Sequence, residues 1–235
     1  MHLRLWALVL LCISSSALSE TQQPLGGALY PPGLLPLINR ANILLSSGQS
    51  QDAAKAYSEA IEQSPADYLL YYKRATAYYS SGRHTAALED FDKVLELTRN
   101  DGKEFDMAWL MKARVQLKES MFAECRVSLQ HSPSGVAADV LKELDETEEL
   151  AKRAENEKDA QLWNACIEHS SSALRVASHS AHIRETRMTC EMAAGDLEGA
   201  VGDLTYVYTL SVLSTNCLIG VYHICYLHQR PSSLL

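Results

Sequence analysis

Small and aromatic residues recur along this chain at a fixed distance. Ala41 and Ala75, Gly48 and Gly82, Ala53 and Ala87, and Tyr57 and Phe91 each stand 34 residues apart. Between these markers the apolar positions follow a helical period. Leu37, Ala41 and Leu44 share one helix face, and Ala53, Tyr57 and Ala60 share another. Each period therefore predicts two amphipathic helices about a glycine turn. The alanines let the helices approach closely, the glycine supplies the permissive turn backbone, and the aromatic fills the layer between successive units. Pro65 ends the first unit.

A helix-turn-helix period of 34 is the mark of the tetratricopeptide repeat (TPR). The pattern predicts an all-α TPR solenoid, a right-handed superhelix whose work is binding. With Leu34 as position 1, the first unit runs to Asp67. The second, Tyr68 to Asp101, repeats it with Tyr71, Ala75, Tyr78, Gly82, Ala87, Phe91 and Val94. After an insertion of about four residues between Asn100 and Phe105, a third unit carries Trp109, Ala113, Cys125 and Leu129, with Ser120 in place of the turn glycine and Pro133 as its stop. From Ser134 to Lys158 strong helix formers run without a breaker after Gly135. One long helix is expected there, bridging to a degenerate fourth unit with Ala154, Cys166 and Ala173 in register. Gly195, Ala200, Leu204 and Val207 mark a fifth. Gly82 to Gly195 exceeds three periods by eleven residues, which insertions of four and seven account for.

The expected organisation is thus a signal peptide at 1–19, a Pro- and Gly-rich flexible lead-in at 20–33, repeats 1–3 at 34–133, the bridging helix with repeats 4–5 at 134–214, and an incomplete sixth repeat at 215–235. Only the first helix of that sixth unit precedes Pro231, and its apolar CLIGVYHICYL stretch suggests a shortened form of a longer protein. The signal-peptide reading rests on Arg4, the apolar run Leu5 to Ile13 and the small residues Ala17 and Ser19, with cleavage after Ser19. Nine apolar residues fall well short of the roughly 20 that span a bilayer. A mature chain free of membrane and lumenal or extracellular is expected.

A hydrophobic content of 47% is enough for a core, and a net charge of -8 argues against nucleic acid as a partner. Removal of Cys12 with the signal leaves five cysteines without a CxxC pair, so at least one thiol has no partner within the chain. Cys125 and Cys166 fall where Ala53 and Ala87 stand, and they read as core hydrophobes rather than disulfide partners or nucleophiles. No Asn-x-Ser/Thr sequon is present.

Positions 2, 5, 9, 12 and 13 of each first helix line the concave face of such an array. Over the first three units nine of these fifteen are apolar: Leu35, Ile38, Leu45, Leu69, Tyr72, Tyr79, Met107, Leu110 and Leu117. That is more than a solvent-washed face should carry. In the fourth and fifth units the same positions are mostly polar, so the apolar groove is confined to the first half. It predicts a hydrophobic or unfolded segment as ligand, client-binding at those nine residues. Another TPR mode grips a terminal carboxylate with Lys, Arg and Asn. Its clamp positions here hold Ile38, Asn42, Lys73, Met107 and Met111, of which only Asn42 matches.

The run YYKRATAYYSSGRHTAALEDFDKVLEL at 71–97, the bridging helix, and RETRMTCEMAAGDLEGAVGDL at 184–204 behind a signal peptide together resemble a TPR and J-domain co-chaperone family of the endoplasmic reticulum lumen, the DnaJ homolog subfamily C member 3 family. The resemblance covers about residues 34–214. It implies a protein that holds unfolded or misfolded clients with its N-terminal repeats and assists the lumenal heat-shock chaperone BiP in folding and the unfolded protein response. A J domain needs a His-Pro-Asp tripeptide, and none occurs here, so J-domain activity is not expected of this chain.

Enzyme signatures are absent: no phosphate-binding glycine loop, no HExxH, no GxSxG and no cysteine cluster of zinc spacing. No catalysis, cofactor or metal is expected. His179 and His182 read as part of a polar inter-helix loop, and the acidic run from Glu143 to Glu149 as a solvated helix face. Two functions stand: a client-holding co-chaperone of the secretory pathway, or a TPR scaffold for one folded partner.

Overall fold

The computed structural model describes residues 33–100, 105–132 and 134–214. The expected signal peptide, nearly all of the expected lead-in, the centre of the first insertion and the expected sixth unit lie outside these residues. Within them the chain is all helical, in ten α-helices paired into five units. The units are α1 (Leu34–Ser46) with α2 (Ser50–Gln63), α3 (Tyr68–Ser80) with α4 (His84–Asn100), α5 (Asp106–Lys118) with α6 (Phe122–Gln130), α7 (Ser134–Asp159) with α8 (Trp163–Leu174), and α9 (Ala181–Ala194) with α10 (Leu197–Ser214).

Each pair is joined by the same turn. Gly48, Gly82 and Gly195 take positive φ there, and so do Ser120 at 56° and Gln161 at 57°. After each of these residues an N–H reaches back to the carbonyl five residues earlier: Gln49 to Leu44, Arg83 to Tyr78, Met121 to Gln116, Leu162 to Glu157 and Asp196 to Glu191, all at 2.8–2.9 Å. This six-to-one bond with a left-handed residue is a Schellman closure, which satisfies carbonyls that the ending helix leaves bare. The two expected insertions fall between the second and third turns and between the third and fourth.

Five residues past each turn, Ala53, Ala87, Cys125, Cys166 and Ala200 are buried, and Ala41, Ala75, Ala113 and Ala154 are wholly enclosed on the preceding helices. Tyr57 and Phe91 fill the layers after units 1 and 2 with no exposed surface. Each such burial is worth roughly 1.5–3 kcal/mol. Leu129 and then Ser170 occupy the same place in units 3 and 4, so the apolar filler shrinks along the array. Two first helices have side-chain caps, where Asp67 accepts from the Leu69 N–H and Ser180 from the Ile183 N–H.

The bridging helix α7 has 26 residues, twice the length of α1, α3 or α5. Its first half lays Ala137, Val140 and Leu144 on Leu110, Leu117, Cys125 and Leu129 of unit 3. Its second half pairs with α8, and Leu150 and Ala151 meet Ala173, Leu174 and Ala177. No described helix is long and apolar enough to cross a membrane.

One expectation needs correction. Cys166 is a buried core residue, but it is also a disulfide partner, bonded to Cys190 of α9 with Cα atoms 6.3 Å apart. Cys125 is buried and free, as expected. Register explains the difference. Ala53 and Ala77 meet in one core cluster and Ala87 and Val115 in another. The pair Cys166 and Cys190 holds this same inter-unit position, whereas the residue facing Cys125 by that rule is Asn156, which is exposed.

Candidate functional site

The nine apolar residues expected on the concave face divide by burial. Leu35, Leu69 and Met107, at the same second position of α1, α3 and α5, are 38%, 37% and 44% exposed. Leu45, Tyr72 and Tyr79 are half-buried. Ile38, Leu110 and Leu117 are only 7%, 2% and 3% exposed and belong to the core. Ile38 and Leu110 are therefore closed off from a ligand, and Leu117 presents only an edge to the slot beside α7. Ile38 packs with Leu34, Ala60, Ile61 and Leu70 between units 1 and 2. Leu110 and Leu117 are covered by the overhanging first half of α7. That overhang exists because α7 is double length, which no repeat-position rule anticipates.

The open stripe on α5 consequently runs through Met107, Met111, Arg114 and Lys118, at helical spacings of four, three and four. On α3 it runs through Leu69, Tyr72, Lys73, Thr76 and Tyr79. Tyr72 is pinned edge-on between Phe91 and Phe105, with ring centroids 5.9 and 5.0 Å away, and Tyr68 meets Phe105 at 5.4 Å. These aromatics form a rigid floor beside the exposed leucine and methionine. Burial raises the Tyr72 hydroxyl pKa, and the Arg114 charge opposes that rise.

Polar groups complete the groove. Asn42 Oδ1 accepts from Tyr57 Oη at 2.8 Å and from Lys73 Nζ at 2.9 Å. Burial pushes the Lys73 pKa down, and the Asp67 carboxylate partly restores it. Tyr79, Arg114, Leu117 and Lys118 line one side of a slot of about 570 Å³, with Asp139, Val140, Lys142, Glu143, Glu146 and Val176 opposite. Of the carboxylate-clamp positions, Ile38 is core and Asn42 is engaged by Lys73, so this groove offers apolar surface and separated cations.

Histidines matter more than their loop setting suggested. His179 does lie between α8 and α9, but His182 is on α9 and bonds Glu155 of α7 at 2.5 Å. Among the described residues no three His, Cys, Asp or Glu side chains are grouped to hold a metal ion.

Comparison with known proteins agrees with this architecture. The family described as Tetratricopeptide repeat matches residues 38–104. A Tetratricopeptide repeat and J domain-containing co-chaperone DNJ1 of Cryptococcus neoformans var. grubii is 36% identical over 205 residues, covering 86% of this chain and 38% of that protein. The DnaJ homolog subfamily C member 3 of Homo sapiens is 30% identical over 169 residues, covering 68% of this chain and 33% of that one. Thus the chain spans between about a third and two-fifths of the length of these curated relatives. Among solved structures, the P58(IPK) TPR domain aligns with a TM-score of 0.62 at 27% identity, over 75% of this chain and 50% of that one.

Proposed function

We propose that this TPR chain, whose relatives are J-domain-containing co-chaperones, holds unfolded or misfolded proteins in the groove of units 1–3. The observation that carries the reading is the alignment of Leu35, Leu69 and Met107, large apolar side chains exposed at one register position of three successive units. Monomeric proteins seldom leave such a line open without a partner for it. Leucine and methionine beside an aromatic floor can adapt to many sequences, as a holder of unfolded chains requires. The setting we assign is the endoplasmic reticulum lumen, in support of a BiP-type chaperone. The apolar N-terminal run and the Cys166–Cys190 bond both favour an oxidising, secretory compartment. With no His-Pro-Asp tripeptide among these 235 residues, holding is the only co-chaperone step assigned to them.

The test is suppression of aggregation of a chemically denatured test protein diluted into buffer. The purified chain should suppress light scattering, and L35D/L69D/M107D should lose most of that effect with unchanged helicity and Tm. A triple variant that suppresses as well as the parent refutes the groove assignment. A parent without holding activity that instead binds one folded lumenal protein stoichiometrically supports the scaffold reading.

A further inference from the structure

The charge of the groove is opposite to that of the chain. The protein carries a net charge of -8, yet no carboxylate occupies any of the fifteen concave positions of units 1–3, while Arg114 and Lys118 do. Lys73 is on α3, the first helix of the preceding unit. Elsewhere guanidinium and ammonium groups near the core are matched: Arg74 with Asp90, Lys112 with Asp92, Arg126 with Asp145 and Glu148, and both Arg184 and Arg187 with Asp203. Among the described residues, Lys73, Arg114 and Lys118 have no carboxylate within ion-pair distance. Lys73 has only the neutral Asn42 oxygen, although it is half-buried and its charge is disfavoured there. Arg114 is exposed next to Tyr72.

Asp67 stands near enough to Lys73 to favour its charge, and on the far wall of the neighbouring slot α7 presents Asp139, Glu143 and Glu146, the last 3.8 Å from Lys142. That wall repels a ligand's acid groups and directs them toward α3 and α5. Lys73 is the sixth residue of α3 and Arg114 the ninth of α5, an offset of roughly 4.5 Å along the helices. The two cations are therefore set to meet separate carboxylates on an extended segment rather than to converge on one terminal carboxylate.

We propose that the groove selects, from unfolded chains, extended segments in which side-chain carboxylates alternate with apolar residues. The apolar side chains rest on Leu69, Tyr72 and Met107, and the carboxylates on Lys73 and Arg114. This rests on the holding function proposed above and specifies its substrate class.

The experiment is fluorescence anisotropy of the full chain with three labelled peptides, acetylated and amidated at their ends. All share the same apolar residues, with intervening positions all Glu, all Ser or all Lys. The Glu peptide should bind about fivefold tighter than the Ser peptide, with the Lys peptide weakest, and the contrast should shrink as salt rises. R114E, at an exposed position, should erase or reverse the order without lowering Tm, and K73Q should reduce it. Equal affinities for the three peptides, or an order unmoved by R114E, overturn the charge selection and leave holding intact. Failure of all three to bind the parent overturns the holding reading itself.

Discussion

His84 of unit 2 and His179 of the loop before unit 5 meet with ring centroids 4.1 Å apart and ring planes tilted by 53°. In a repeat array each unit normally touches only its neighbours, and this contact skips two. It belongs to a seam. His84 Nδ1 lies 2.6 Å from Glu119 Oε1, the His179 N–H donates to the Lys118 carbonyl at 3.0 Å, and the Ser120 and Ser180 hydroxyls meet at 2.7 Å. The cause is again α7. Because α8 covers only its second half, the loop after α8 returns to the middle of α7, where Val176 packs against the Leu117 cluster beside the unit 3 turn. The seam fixes the angle between the two halves of the array, and with it the shape of the groove.

Acid should loosen this seam. Burial lowers the His179 pKa first, the adjacent His84 lowers it further with Lys118 and Arg184, and Glu119 opposes them. A histidine with a depressed folded pKa binds fewer protons folded than unfolded. Its contribution is therefore complete above the ordinary value of 6.5 and is lost as pH falls from there through the lower folded pKa. Melting curves between pH 7.5 and pH 5 should show a steeper loss of Tm for the parent than for H179Q, and hydrogen exchange should report the loss first at 118–120 and 178–180. Parallel Tm profiles would remove the pH role of this residue.

The Cys166–Cys190 bond stands where the apolar filler is missing. Tyr57, Phe91 and Leu129 fill earlier layers, and Ser170 takes their place between units 4 and 5. Closing a loop across a sequence separation of 24 stabilises by about 3 kcal/mol. Reductant or C166A/C190A should lower the unfolding free energy read from urea titrations by about that amount, and C125A should leave the response to reductant unchanged. Burial pushes the Cys125 thiol up to about 12, so it should resist thiol reagents until the chain unfolds. The same register predicts that A53C/A77C forms a second inter-unit disulfide, detectable by mass spectrometry under non-reducing conditions.

The turns, the small buried positions and both insertions were legible in the sequence because each repeats a local steric demand, seen in Gly48, Gly82 and Gly195. Ser120 and Gln161 keep the turn without glycine, and only the counting of periods points to them. Three features escaped. The cystine was discernible from Ala53 and Ala77, which stand the same distance apart as Cys166 and Cys190, but only by comparing positions between units. The burial of Leu110 and Leu117 depends on how far α7 overhangs, and the His84–His179 contact on where α8 ends. Both are tertiary consequences of one helix's length, and residue type at those positions carries no trace of them.

Left-handed backbone at a non-glycine residue is strained by roughly 1–2 kcal/mol. Among the described residues the Gln161 side chain has no hydrogen bond to offset this, so Q161G should raise stability by up to ~1 kcal/mol after the added freedom of the unfolded chain. Ser120 differs, since its hydroxyl bonds Ser180 across the seam. S120G should gain in the turn and lose in the seam, ending near neutral. Urea titrations that show equal gains for the two variants would mean the Ser120–Ser180 bond contributes nothing.

One guanidinium clamp occurs twice, at equivalent positions of units 2 and 5. Arg74 donates to both oxygens of Asp90 at 2.7 and 2.8 Å and to Ser58 Oγ of the preceding unit at 3.0 Å. Arg187 does the same with Asp203, at 2.7 Å to each oxygen, and with Ser171 Oγ at 3.1 Å. Each clamp binds a unit's two helices to the unit before it, and each carboxylate is buried. Removing one partner of such a pair strands a charge, at a penalty of about 3 kcal/mol. The two sites should differ, however, because Arg184 also reaches Asp203 at 2.8 Å, whereas Asp90 has Arg74 alone among the described residues. Arg187 also meets the buried Glu191 carboxylate at 3.5 Å, so the comparison is made with E191Q in every variant; there R74A should destabilise more than R187A, and R184A/R187A should cost more than the sum of its single changes, since only the double variant leaves Asp203 without a cation. Denaturation of the four variants decides it. Equal losses for R74A and R187A, or additive losses at 184 and 187, would show that Arg184 does not share the Asp203 charge.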